Sequence, residues 1–251
     1  NKISMQSYEF DYSQYRKKIN QPKHTSLCLV SFLIIICMGL AMFLYPNSIK
    51  KNEYYFVEIN SFLTYSEANN LGNLISSVNG AGYVYYDGKY HVFAAFYPSK
   101  EDAETVCENL KPDYPTCSVY TLKCDKFHKI KDLTENQNKS VENLLNANIS
   151  LMNSVYKCII NYDTNEINFN QLLLNLENIK SDYQKFSEDF FNLFNTNTKY
   201  NKAKKYVTKI VEFTEFFDEL KSEQNEQTVS KLLKYKLIGM VINHSSLLES
   251  F

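Results

Sequence analysis

Between Tyr54 and Leu122 the hydrophobic period switches from two to between three and four and back again, twice over, and this alternation limits the possible folds more than any other feature of the chain. In YYFVEINSF (Tyr54 to Phe62), Tyr55, Val57, Ile59 and Ser61 alternate with Phe56, Glu58 and Asn60, which predicts a strand with two different faces. A helix is predicted next, capped by Ser66 with Asn69. Its apolar positions are Ala68, Leu71, Leu74, Ile75 and Val78, and Gly80 and Gly82 end it. YVYYD (Tyr83 to Asp87) and KYHVFAAF (Lys89 to Phe96) read as a hairpin that turns at Asp87-Gly88, a two-residue signal. Ser99 and Asp102 form a capping box for a second helix, with Ala103, Val106, Cys107 and Leu110 on one face and Pro112 and Pro115 beyond its end. SVYTL (Ser118 to Leu122) closes the unit as a strand.

The predicted order, β-α-β-β-α-β, gives an α+β unit of the ferredoxin or RNP kind, a sandwich in which two helices cover one sheet face and the other face is open. Side chains alternate along a strand. If Val57, Ile59, Val92 and Ala94 face the helices, then Phe56, Glu58, Asn60, His91, Phe93 and Ala95 face away. Parity sends Ser61 inward, but it stands at a strand end, where a bulge or turn redirects side chains.

These residues resemble the SPOR domain, a small module of bacterial cell-envelope proteins with this element order and two signature phrases. Tyr55, Val57, Ile59, Ser61 and Phe62 match the first, roughly Y-x-V-Q-v-G-S-F, with Glu58 for Gln and Asn60 for Gly. Tyr90, Val92, Ala94, Tyr97, Ser99 and Ala103 match the second, with His91 for Arg and Ala95 for Gly. The resemblance implies binding of septal peptidoglycan, preferring glycan strands stripped of stem peptides, through the open sheet face. On that reading the glycan site is expected at Glu58, Ser61 and His91, with Phe56, Phe93 and Ser118 beside them. Aromatic rings would meet the C–H faces of a sugar and polar groups its hydroxyls.

Asn1 to Ser26 is a polar tail. Leu27 to Tyr45 carries no charge, and at 1.5 Å rise about 19 residues span roughly 28 Å, enough for one transmembrane helix. Arg16, Lys17, Lys18 and Lys23 precede it and only Lys50 and Lys51 follow closely, which predicts a single-pass protein of the bacterial cytoplasmic membrane with its N-terminus inside and the rest extracytoplasmic. The run is longer than a signal-peptide core and no small-residue cleavage site follows, so an anchor is expected. Residues 46–52 form a linker, 53–125 the SPOR-like domain and 132–251 an all-α helical bundle.

The bundle reads as four helices. Thr134 and Gln137 cap the first, which runs to about Ile160, and Asp163 with Glu166 starts a second with a stripe from Phe169 to Leu193. Thr196 to Tyr200 is a turn, Ala203 to Leu220 the stripe of a third helix, and Val229 to Leu248 that of a fourth. Within the fourth, LIGMVI is apolar all round. It is too short to span a bilayer, and Lys231, Lys234, Lys236 and His244 bound it, so it reads as a core helix.

The cysteines show no C-x-x-C pair. Cys107 reads as a small buried hydrophobe, and Cys117 and Cys124 point to opposite faces of one strand. The four histidines, His24, His91, His128 and His244, are scattered, and no nucleophile elbow or P-loop phrase is present, so neither an enzyme nor a metal or cofactor site is expected. With 27 basic against 28 acidic residues the chain lacks the positive excess of a nucleic-acid binder. The sequence thus predicts a membrane-anchored peptidoglycan-binding protein acting at the septum in cell division or sporulation. The bundle remains open as a docking surface for an envelope protein partner. The alternative is a structural protein, since the same order resembles the ring-building modules of sporulation secretion complexes, which assemble through sheet edges.

Overall fold

The computed structural model describes residues 53–124, 127–131, 133–194, 201–222 and 226–249. The tail, the apolar run Leu27 to Tyr45, the linker and the turn at Thr196 to Tyr200 lie outside them. Among the described residues no helix is long and apolar enough to cross a membrane.

The first unit has the predicted order: β1 (Glu53–Phe62), α1 (Tyr65–Ser77), β2 (Tyr83–Tyr86), β3 (Tyr90–Tyr97), α2 (Lys100–Leu110) and β4 (Ser118–Lys123). Its sheet is antiparallel throughout, in the order β2-β3-β1-β4. Ser99 caps α2, accepting from the Asp102 N–H at 3.1 Å. The cap of α1 is Thr64 instead of Ser66, so that helix starts earlier than its sequence signal. The hairpin also differs: Tyr86 pairs with Tyr90, leaving Asp87, Gly88 and Lys89 as a three-residue loop. Only Gly88 (φ +116°) has positive φ there, whereas a two-residue type I′ turn needs two such residues.

Two irregularities in the β1–β3 ladder set which side chain faces which way. Val57 stands opposite Ala95 and Glu58 opposite Phe93, so Ala94 is passed over. Asn60 then stands opposite Val92, so Ile59 is passed over. Both freed carbonyls are satisfied elsewhere: that of Ala94 accepts from the Ala81 N–H at 2.7 Å, and that of Ile59 from the Thr116 hydroxyl at 2.8 Å. Three reversals of simple alternation follow. Ser61 comes opposite His91, Asn60 comes opposite the helix-facing Val92, and Ala95 joins the cluster under α1 and α2 while Phe96 turns to the other side.

Four further helices follow among the described residues: α3 (Glu135–Asp163), α4 (Phe169–Phe194), α5 (Asn201–Glu219) and α6 (Glu226–Leu248). Each packs on its neighbours in the ring α3-α4-α5-α6, an up-down bundle. Thr134 and Gln137 make the capping box of α3. Asp163 does not begin α4 but ends α3; the cap of α4 is Asn168, which exchanges hydrogen bonds with Gln171 at 2.9 and 3.0 Å.

The expectation of an open second sheet face is corrected where Tyr54, Phe56, Phe93 and Phe96 stand. Tyr54, Phe56, Phe93 and Phe96 are buried in one apolar cluster with Val155, Ile159, Leu237, Val241 and the rest of the bundle core. Tyr156 of α3 meets Phe96 and Tyr97 edge-on, and Tyr83 of β2 packs on Tyr235 of α6 at 4.8 Å between ring centroids. Burying each such ring contributes about 1.5–3 kcal/mol, which an exposed aromatic face would forfeit. Polar contacts pin the junction as well. Lys234 of α6 pairs with Asp163 at 2.7 Å and donates to the Asn79 carbonyl in the α1–β2 turn at 3.2 Å, while Ser230 donates to Asp163 at 2.5 Å. The connection from sheet to bundle is gripped by Asn138, whose carbonyl accepts from the Ile130 N–H and whose amide donates to the Ile130 and Leu133 carbonyls.

Candidate functional site

One end of the sheet carries a polar cluster built on three strands and a turn, with Tyr85 and Tyr120 packed against the edge of the bundle core. Glu58 on β1 and His91 on β3 bring Oε1 and Nδ1 to 2.6 Å. The other ring nitrogen, Nε2, lies 2.7 Å from Oδ1 of Asp87 in the hairpin loop. Tyr120 of β4 donates to Asp87 Oδ2 at 2.6 Å, and Ser118 donates to Glu58 Oε2 at 3.0 Å. An imidazole meets two carboxylates through both nitrogens as a donor only when it carries both protons. Asp87 makes both contacts from the first position of the three-residue hairpin loop.

Aromatic rings hold this network from beneath. Phe93 stacks on Phe56 at 4.8 Å and on Tyr85 at 5.9 Å between centroids, and Tyr120 lies 5.2 Å from Phe93 and 4.9 Å from His91. Burial pushes the Asp87 carboxyl up, but hydrogen bonds from Tyr120 and His91, with the charge of His91, outweigh it and leave its pKa below the ordinary value. Tyr120 is pushed well above the usual phenol range, by burial first and by its bond to Asp87 second.

Of the residues the sequence singled out, Glu58, Ser61, His91 and Ser118 come together at this end. Ser61 does so because of the bulge at Ile59. Phe56 and Phe93 do not reach the surface: both are fully buried under the bundle, where they support the cluster and cannot touch a ligand. Glu58 and His91 are each only 12% exposed at the side chain, against 35% for Asp87, so the accessible groups are chiefly Asp87, Ser118 and Tyr120. Sequence reasoning missed Asp87, Tyr120 and Tyr85. Asp87 had been absorbed as a turn residue, but Tyr120 lies two positions from Ser118, hence on the same face, and Tyr85 stands opposite His91.

The arrangement offers carboxylate and hydroxyl hydrogen-bonding groups beside aromatic edges. Among the described residues no group of three His, Cys, Asp or Glu side chains is placed to hold a metal ion.

Residues 51–121 match the family model of the SPOR domain. The match spans β1 to β4 and includes every residue of the cluster. SPOR domains are binding modules, not catalysts, and the match implies peptidoglycan binding in cell division. No curated protein and no solved structure matches the chain.

Proposed function

We propose that this protein is held in the bacterial cytoplasmic membrane by Leu27 to Tyr45, N-terminus inside, and binds denuded peptidoglycan glycan strands at the septum through the exposed end of the sheet. The observation that carries the reading is the SPOR match at residues 51–121 coinciding with the cluster of Glu58, His91, Asp87, Ser118 and Tyr120. The uncharged run and its flanking Lys and Arg residues support the anchor. Asp87 and Ser118 supply acceptors and donors for sugar hydroxyls and acetamido groups, and Tyr120 supplies a ring edge. The bundle narrows the exposed sheet to this end.

The test is co-sedimentation of the full chain, in mild detergent, with insoluble glycan prepared with and without stem peptides. Wild type is expected to pellet with the denuded material. Glu58→Ala with His91→Ala, and separately Asp87→Ala with Ser118→Ala, should each lower the pelleted fraction several-fold while the fold persists by circular dichroism. Wild-type protein remaining in the supernatant with both glycans would refute the reading.

A further inference from the structure

A second recess lies on the other side of strand β2. It is a groove of about 230 Å³ between α1 and the β2 edge, lined by Tyr65, Asn69, Asn73, Ser76, Val84 and Tyr235. Its floor is nearly bare backbone. A Cβ on Gly72 would lie 2.7 Å from the Gly82 carbonyl oxygen and one on Gly82 (φ +62°) 2.1 Å from that of Gly72, so the helix and the strand entry meet through two glycines. Tyr235 comes from α6, so the groove is complete only with the bundle in place.

We infer that this groove is a second saccharide subsite, for a neutral N-acetylated sugar unit of the same glycan strand that meets the sheet end. The inference rests on the glycan-binding reading and names where further units of the polymer would lie. Its chemistry selects the ligand class. Among the described residues no charged side chain lines the groove, which disfavours a phosphate or carboxylate ligand; two amides and a hydroxyl suit hydroxyl and acetamido groups; and Tyr65 and Tyr235, 57% and 43% exposed, offer ring faces to sugar C–H surfaces. Asn69 accepts from the Tyr65 hydroxyl at 3.3 Å through Oδ1, which leaves its amide N–H groups to donate. The volume is below the roughly 300 Å³ at which pockets for drug-sized molecules begin, so it suits about one ring at a time. A ridge of tyrosines joins the two sites. Tyr65 meets Tyr90 at 5.7 Å between centroids and Tyr90 meets Tyr86 at 4.7 Å, and Tyr86 adjoins Asp87. A polymer is the ligand that can use both ends of such a ridge, because linked units gain from effective concentration what each contact lacks in affinity.

Because the chain has no tryptophan, a single introduced indole reports its own surroundings. The experiment uses the full chain in detergent, a soluble β-1,4-linked N-acetylglucosamine tetrasaccharide, and insoluble denuded glycan. In Tyr235→Trp the emission should shift on adding the tetrasaccharide. Asn69→Ala with Asn73→Ala, substitutions that favour the helix, should weaken pelleting with glycan about fivefold or more, and Ser76→Arg, which fills the groove, should do the same. If wild type pellets while all groove variants pellet equally well and the indole emission stays constant, the groove is no subsite and the sheet-end reading stands alone. If wild type does not pellet at all, the glycan reading fails and this inference with it.

Discussion

The ammonium of Lys234 donates to the main-chain carbonyl of Asn79 across 3.2 Å, joining the last helix of the bundle to the turn that enters β2. Its other partner is Asp163 at 2.7 Å, and both side chains are nearly buried. Removing one member of such a pair leaves an uncompensated charge, at a cost of about 3–5 kcal/mol. Lys234→Ala should therefore lower the urea midpoint sharply, while Lys234→Met with Asp163→Leu, which removes both charges and keeps bulk, should recover most of the loss. Equal stability of Lys234→Ala and wild type would show that the pair contributes nothing.

The shared aromatic cluster makes a second prediction. Phe56→Ala removes a fully buried ring from between sheet and bundle and should cost about 3–5 kcal/mol. Because the two parts share one core, the variant should unfold in a single transition at the same lowered midpoint whether followed by helix signal at 222 nm (roughly, the usual helix band) or by tyrosine fluorescence. Two separated transitions would mean that the sheet and the bundle are independent units.

His244 sets an acid limit on stability. Burial pulls its pKa from 6.5 down to about 4, and its ring packs edge-on to Tyr54 at 6.1 Å between centroids. The unfolded chain therefore binds a proton between these two values that the folded chain refuses, so stability falls as pH drops through that window, by at most roughly 3 kcal/mol. His244→Phe should flatten the dependence of the urea midpoint on pH between 6.5 and 4. An unchanged slope would assign the acid sensitivity to other groups.

Two thiols that looked unrelated in sequence stand together. The Cys107 thiol donates to Cys117 Sγ at 2.8 Å, and both are buried between α2 and the start of β4. Burial, then contact with Cys107, pushes the Cys117 thiol far above its ordinary pKa, which suppresses the reactive thiolate. Iodoacetamide should leave both unmodified in the folded chain and label both once urea unfolds it, as peptide mass mapping would show. Prompt labelling of either in the native protein would contradict this burial.

How much of this was legible in the sequence follows from what periodicity can and cannot encode. The order of the first unit was readable from the switching period, helped by residues with a local physical role such as the cap at Ser99 and the positive φ of Gly88. The apolar girth of LIGMVI announced a core helix, and this stretch of α6 lies between the bundle on one side and β2 and β3 on the other. What covers Phe56 and Phe93 was not readable. Alternation places them away from α1 and α2, but a ring aimed at a sugar and a ring aimed at a helix have the same period. The redirection of Ser61 by a bulge was expected from its place at a strand end, but the bulge at Ala94 was silent, since it rests on a carbonyl partner outside the strand, Ala81.

The pairing of Glu53 with Lys123 places the entry to β1 and the exit from β4 side by side at one end of the same antiparallel ladder. A pull between those two points would load the ladder's hydrogen bonds one pair after another, as a zip opens, instead of all together in shear. Resistance to tension then falls to what lies over that end: Tyr54 against His244, and Tyr156 against Phe96. Under tension between those two points, the helices over the sheet would act as its mechanical clasp.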